Sequence, residues 1–427
     1  MKKFISVFLA VLLVLSLCAC GGANKAPKGL SVGFGRADIT PTMRVGLHGY
    51  GDVEERQSQG VFNRLYATCI AITGESGETV LMYTVDLILV NSDMTQMFRP
   101  AVSEATGVPE SNITASATHT HSGPSHKTNA TYWSEIFAPK MVEAAQAAMA
   151  DRAKTTVQTG STHTEYMNFV RHYVTDQGKV IGDNFGSTKT DGARVKHTTE
   201  VDNEIQILRF IREDKQDILM VNYQGHPKTA STGDTATGRG MRNMIASDYI
   251  GTTREYLEGK DSDLLFAFYL GASGNVNVFS NIKEEQAKNT ENPKEFGQRL
   301  GDKILEALPS LTDQGQPDVK CTRQKIAVNQ KTGTEGFPLE LTAVHFGNIG
   351  FVAAPFEMFD TQGMFIKDES PCETTFVMTC ASGHMGYIPS DYAWDYTNCY
   401  EVRATSYARG TAETFAQAAV DALKAMN

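Results

Sequence analysis

Basic residues are in deficit in this 427-residue chain. Lys and Arg number 39 against 49 Asp and Glu, so the formal net charge is −10. With a pI of about 5.5, that balance argues against a polyanion such as nucleic acid as partner. Cysteines are few and poorly spaced. Beyond the first twenty residues the chain keeps Cys69, Cys321, Cys372, Cys380 and Cys399, an odd set without zinc-ribbon spacing. No disulfide framework can be read from it, and it leaves room for at most one bridge among the last three. Internal repeats and low-complexity tracts are also missing. What remains is the composition of a globular protein, 41% hydrophobic and 21% charged.

The one long apolar run near the N-terminus, Phe4 to Leu17, is too short for a comfortable spanning helix, which needs about 20 residues. Two lysines precede it and small residues with cysteine follow, the layout of a secretory signal. Leu17-Cys18-Ala19-Cys20 resembles a bacterial lipobox, with Ala19 as the small residue before the cut and Cys20 as the thiol to be acylated. The expectation is therefore a lipoprotein signal over 1–19 and a flexible tether over 20–30, GGANKAPKG being its main part. Anchoring to the membrane outside the cytoplasm follows. About 400 residues remain, enough for one large domain or two ordinary ones; residues 31–427 are read as one.

Strand-like and helix-like segments alternate along that stretch. RLYATCIAIT and ETVLMYTVDLILV are rich in β-branched and aromatic residues. A helical pattern follows over Ser92 to Ala105, then a short strand around Ile113. NEIQILRF and DILMVNYQGH read as the two strands of a hairpin, and LLFAFYLGASGN as an apolar strand ending in small residues. Asn292-Pro293-Lys294-Glu295 opens a helix with a capping residue, proline at the first position and Glu near it. Phe296, Leu300, Ile304 and Leu308 continue it on one face, and Phe415, Ala419 and Leu423 mark a C-terminal helix. Two polar stretches, Gly182 to Asn203 and Ser231 to Asn243, are long for loops and are read as walls of a cleft. The mixture predicts an α/β fold, mixed β-sheets flanked by helices, with functional residues at strand ends.

The segment SATHTHSGPSH holds three of the ten histidines. In an extended segment alternate side chains share a face, so His119 and His121 are expected to project together from a strand end. They fit a metal site, a base cluster or a hydrogen-bonded loop. A second strand end, VNYQGHP, offers His226. After the apolar GFVAAPF comes Glu357, either a helix-start residue or a ligand. Imidazole, carboxylate and phenol oxygen suit zinc, and three or four must converge from distant parts of a chain.

VGFGRADITP with GLHGYGD, and then SATHTHSGP, resemble the opening and the histidine motif of the neutral ceramidase family. Islands of similarity continue through NFVRHY, VNYQGHP, LGASGNVN, APFEMF and MGYIPSDY…CYEVRATSY to near residue 410. The resemblance implies a neutral-ceramidase-like catalytic domain with one zinc ion per chain. Its ligands would fall on His119, His226, Glu357 and Tyr387, with Tyr392 near enough to compete for the last place. His121 would face the substrate, Arg171 would lie near the active site and Tyr400 would contact substrate. Asp86, at the end of YTVD, could orient a ligand histidine or cap a turn.

Two departures qualify that picture. The family's serine nucleophile corresponds to Asn277 in GNVNVF, and an amide cannot be acylated as a serine can. The chain also ends after the catalytic region, without the immunoglobulin-like domain of the larger ceramidases. The expected function is zinc-dependent hydrolysis of an N-acyl amide in a ceramide-like lipid, by water rather than serine. His121 or Tyr387 would help the oxyanion, and a neighbouring histidine or Ser273 would pass the proton to the leaving amine. Two other readings stay open: a zinc esterase or amidase on a cell-wall or carbohydrate substrate, and a non-catalytic lipid- or metal-binding surface lipoprotein.

Overall fold

The computed structural model describes residues 27–50, 56–183, 191–232 and 241–427. The signal, Cys20 and most of the tether lie outside those residues, as do 184–190 and 233–240 of the two polar stretches. In chain order the main strands are β1 (Ser31–Asp38), β2 (Tyr66–Thr73), β3 (Thr79–Val85), β4 (Ile113–Ala117), β5 (Ala153–His163), β6 (Glu204–Arg212), β7 (Asp217–Tyr223), β8 (Leu264–Leu270), β9 (Thr312–Gly315), β10 (Val319–Ile326), β11 (Leu339–Phe346), β12 (Ile349–Ala353) and β13 (Thr374–Met378). The main helices are α1 (Ser92–Thr106), α2 (Ala138–Ala150), α3 (Asp248–Lys260), α4 (Pro293–Ala307), α5 (Asp360–Glu369) and α6 (Thr411–Met426).

Nine strands form one mixed sheet in the order β8-β7-β6-β5-β1-β2-β3-β4, with β9 on β5. Its middle joint, β1 to β5, holds only at Ser31–Lys154 and Val32–Ala153. From that corner the sheet opens and its ends return to each other. The Tyr269 hydroxyl of β8 donates to the Met82 carbonyl of β3 at 3.0 Å. A second sheet runs β10-β11-β12-β13.

The period-2 pattern of the strands sorts residues between two cores. Ala67, Cys69, Leu81 and Tyr83 face a core shared with Phe98, Met141, Ala144 and Leu300 of the helices. Ile70, Ile72, Val80 and Met82 face the second sheet, against Val344, Phe346 and Phe351. The other face of that sheet, Leu339, Leu341 and Ala343, packs on Phe415, Ala419 and Leu423 of α6. The result is helices, sheet, sheet, helices. Leu30 is already core, so the fold begins where the tether was expected to end. Gly33 and Gly35 let α2 lie directly on β1, since a Cβ at either would strike the Ala148 or Ala144 carbonyl.

Local signals read well. Asn292 caps α4, its side chain accepting from the amides of Lys294 and Glu295, and Pro293 opens the helix. The expected hairpin is β6–β7, antiparallel through Gln206–Asn222 to Phe210–Ile218. ETVLMYTVDLILV ends as a strand at Val85 instead of Val90. The remainder turns away because its carbonyls serve the next segment: Thr118 and His119 donate their amides to Val85 and Leu87 at 2.8 Å. All five described cysteines are free, including Cys372, Cys380 and Cys399.

The site lies where three parallel pairs end. β3–β4, β7–β8 and β12–β13 are parallel, and backbone bonds tie the segments after them together. Ala117 donates to Cys380, Thr379 to Leu270, Gly271 to Tyr223 and Ala354 to Met378. Carboxyl ends of parallel strands are the usual position for a ligand crevice in such sheets.

Candidate metal centre and active site

His119, His121 and His226 present ring nitrogens that lie within 4.8 Å of one another, all three buried. They come together by a different route from the extended one expected. His119 sits beyond the end of β4 with φ +66°, in the left-handed region that non-glycine residues adopt rarely and at a cost. The strain is localised at the residue that turns the chain into the site. Its Nδ1 lies 2.6 Å from the Ile88 carbonyl, to which it donates, so Nε2 is the atom turned toward Glu357; burial opposes it, but Cys380 and Glu357 raise this imidazole well above its usual range. That Nε2 is 3.2 Å from Glu357 Oε2, yet neither atom has a well-directed hydrogen bond and both are buried.

A similar orientation holds for His226. Its Nδ1 faces the Ser273 carbonyl at 3.3 Å, so Nε2 is the acceptor. It points at His121 Nε2, 2.9 Å away. Burial pushes both His121 and His226 well below the ordinary imidazole range, so both rings are neutral at physiological pH and have lone pairs to offer. Burial works against ionisation of Glu357, but the adjacent His119 outweighs it and holds the carboxyl down to about 2. Three buried imidazoles whose ring nitrogens converge, two of them held neutral and the third beside a charged carboxylate, supply the donor types of a zinc or similar cation site. The residues present fit such an ion.

Tyr387 joins this group by strand pairing. The short strand Tyr387–Ile388 runs parallel to Glu357–Met358, with Glu357 and Tyr387 in register, which sets the phenol beside the Glu357 carboxylate. Burial, then Glu357, raises the phenol well above its usual value. Tyr392 is elsewhere: its hydroxyl accepts from Asn275 at 3.2 Å. Arg171 is fully buried and reaches the same place, its Nη2 donating to the Tyr387 hydroxyl at 3.3 Å and to the Gly274 carbonyl at 2.6 Å. Tyr400 stands at the rim, 38% exposed, its ring edge-on to Tyr387 at 5.6 Å.

Asn277 lies on Val276–Asn277, which pairs with Phe169–Val170 and bridges to His226. Its Oδ1 accepts from Lys228 Nζ at 3.1 Å and from Arg171 Nη1 at 3.4 Å. Two N–H donors therefore fix which end of the amide is the acceptor. Asp86 has no part in orienting a histidine. Its carboxylate takes both bonds from Arg254 Nη2, at 3.1 and 2.9 Å, and one from the Tyr66 amide. The Ile88 and Ser273 carbonyls orient the histidines instead.

Several groups here had no signal in the sequence pattern. Lys228, two residues after His226, is buried and its ammonium is pushed well below the usual range by burial and by Arg171. His384 is half-buried with its Nδ1 atom buried and unbonded, and desolvation, against Glu357, takes it down to about 4. Glu401 and His172 lie beyond Arg171. Only QGHPK, with a basic residue one strand-step past a histidine, could have flagged Lys228. Part of the cleft expectation does appear. Residues 197–201 and Asn203 line a cavity of about 510 Å³ together with Tyr166, Asn168, Phe169 and Glu285, and Phe169 belongs to the strand paired with Asn277.

Comparison with known proteins agrees with this architecture. The family model described as "Neutral/alkaline non-lysosomal ceramidase, N-terminal" matches residues 30–264, a span that includes His119, His121, Arg171 and His226. Curated proteins give no match. Among solved structures, "Ceramidase complexed with C2" superposes with a TM-score of 0.72 at 17% identity, covering 94% of this chain and 75% of that one. The neutral ceramidase from Pseudomonas aeruginosa gives 0.72 at 18% identity with the same coverage. Those identities are low enough that the superpositions speak for the fold, while the sequence match covers more than half of the chain. This chain belongs to the neutral/alkaline non-lysosomal ceramidase family.

Proposed function

We propose that the protein is a zinc-dependent hydrolase that cleaves the amide C–N bond of a ceramide-like N-acyl lipid, with water as nucleophile. The ligands in this reading are His119, His226, Glu357 and Tyr387. One observation carries it: His119 Nε2 and Glu357 Oε2 are buried, 3.2 Å apart and without a directed bond, and ring nitrogens of His119 and His226 lie within 4.8 Å of each other. A zinc ion held there supplies Lewis-acid polarisation of the amide carbonyl and makes water nucleophilic near neutral pH.

The chain's own residues do the rest. His121, neutral through burial, takes a proton from the attacking water and passes it to the leaving amine as the C–N bond breaks. The products are a carboxylic acid and an amine, which leave as carboxylate and ammonium once the acid's proton passes to the amine. Arg171 and Lys228 hold Asn277 by its Oδ1, which fixes the orientation of the amide, and in this reading its NH2 donates to the substrate oxygen. Tyr400 at the rim contacts the bound lipid. Serine catalysis is disfavoured because the family's nucleophile position is Asn277, whose amide cannot be acylated as a serine can. We further propose that the protein is attached to the bacterial membrane through acylated Cys20, which would bring a lipid substrate to the site.

Metal analysis of purified protein, with a panel of N-acyl amides, acyl esters and cell-wall fragments, tests the reading. Amide hydrolysis that requires about one zinc per chain supports it. Ester-only or cell-wall activity would favour a zinc esterase or amidase of other substrates, and absence of both zinc and hydrolysis would leave a binding protein.

A further inference from the structure

Behind Arg171 lies a buried carboxylate, Glu401, on the short helix Tyr400–Ala404. It accepts three donors. Arg171 Nε donates to Oε1 at 2.6 Å. His172 Nε2 stands 3.3 Å and Cys399 Sγ 3.1 Å from Oε2. Both oxygens are thereby held, and the carboxylate plane with them. The His172 ring is itself packed between Phe359, Tyr392 and Tyr396, at centroid distances of 5.4, 6.2 and 5.6 Å.

A guanidinium is a planar fork, so fixing Nε fixes the direction of the two Nη groups. Once Glu401 has taken Nε, Nη2 meets Tyr387 and Gly274, and Nη1 meets Asn277. A buried ion pair contributes little net stability compared with apolar packing, and its attested use is to specify one arrangement. Glu401 touches neither Asn277 nor Tyr387 in these contacts; it reaches both through Arg171.

We propose that Glu401, steadied by His172 and Cys399, is the positioning residue that aims Arg171 at Asn277 and Tyr387. This rests on the amide-hydrolase reading of the site. The matched family model ends before residue 401. The same three side chains offer donor atoms within 4.8 Å of one another, so a second cation on His172, Cys399 and Glu401 is the competing arrangement. The hydrogen-bonded arrangement is preferred because Arg171 already neutralises Glu401, and burial, then Glu401, raises the Cys399 thiol well above its usual range and keeps its proton.

The test is a set of variants of the full chain: Glu401→Gln, Glu401→Asp, Arg171→Met and the Glu401→Gln/Arg171→Met pair. Each is assayed for kcat, KM and metal content on an N-acyl amide. Glu401→Gln is expected to lower kcat by about 10–100-fold, the scale of a displacement near 1 Å, with KM within about twofold and zinc at the wild-type level. The double variant should be no slower than Arg171→Met, because Glu401 acts only through Arg171. Should Glu401→Gln not fold, Glu401→Asp keeps the charge but withdraws it, and a drop in kcat of about 10-fold at full zinc content is expected from it. Unchanged kcat, or losses that simply multiply in the double variant, would overturn the proposal alone. So would a second metal equivalent that disappears in Cys399→Ser. A wild type without zinc or amide hydrolysis would overturn the underlying reading and this proposal with it.

Discussion

Replacing Asn277 by alanine separates turnover from metal binding. The side chain is buried, and its Oδ1 receives Lys228 Nζ at 3.1 Å and Arg171 Nη1 at 3.4 Å. A hydrogen bond from a charged group such as Arg171 contributes about 1.5–3 kcal/mol at good geometry and less at this length, and one between neutral groups about 1 kcal/mol. Arg171 keeps Glu401, Gly274 and Tyr387, so most of its hydrogen bonding survives, and the stability loss should be about 1–3 kcal/mol. Turnover should suffer more. If the Asn277 NH2 donates to the substrate oxygen as its charge develops, losing that donor costs about 10²–10³ in kcat. None of the proposed ligands is removed, so zinc stays bound. The assays are steady-state kinetics, elemental analysis of the same preparation, and intact-mass spectra of wild-type enzyme quenched during turnover. No covalent adduct and no burst are expected. Unaltered kcat would show that Asn277 has no part in the reaction. Loss of zinc would make its role structural. A stable acyl adduct on Ser273 would restore a serine mechanism displaced along the loop.

Wild-type protein should hold about one zinc per chain, and His119→Ala and His226→Ala should each lose it, while Glu357→Gln should retain it more weakly because an amide oxygen coordinates without charge. Elemental analysis checks all three, and full occupancy in both histidine variants would refute the ligand set. His121→Ala should keep zinc and lose turnover; loss of the metal would instead make His121 a ligand. In metal-free protein, the folded Glu357 carboxyl lies at about 2 against an ordinary 4.5. A depressed carboxyl contributes stability above its unfolded value, so that stability should be lost as the pH falls from about 4.5 toward 2. Urea unfolding of the apo protein across that window should show the loss, and Glu357→Gln should flatten it; equal pH dependence in both would refute the attribution. Protein made with its signal should partition with membranes, and Cys20→Ala should become soluble or stay unprocessed. An unmodified mature terminus beginning elsewhere, seen by intact mass, would remove the anchor.

Much of the architecture was legible because its causes are local. Asn292 and Pro293 specify the start of α4 through groups two or three residues away, and the alternation in Ile70, Ile72, Val80 and Met82 assigns them to one face. The errors arise where an apolar residue serves something other than regular pairing. Leu87 and Ile88 look like strand continuation, yet their carbonyls bond the His119 amide and ring. Asp86 could be recognised as a buried-strand carboxylate, but its partner Arg254 is 168 positions away, and nothing near Asp86 announces it.

For the site, the sequence alone determined which residue types were available and the motifs in which they stand: paired histidines after a strand, a third in QGHP, a glutamate after an apolar run, and asparagine where the family carries serine. Tertiary structure decided their orientation. His119 enters through a left-handed backbone rather than an extended one, Glu357 meets Tyr387 only because two short strands pair in register, and Arg171 meets Glu401 across 230 positions. Side-chain periodicity is imposed by the adjacent backbone and can be read from neighbours. The direction of a buried lone pair or guanidinium is imposed by whichever distant carbonyl or carboxylate the packed sheets bring within hydrogen-bond reach, and only the folded chain supplies that partner.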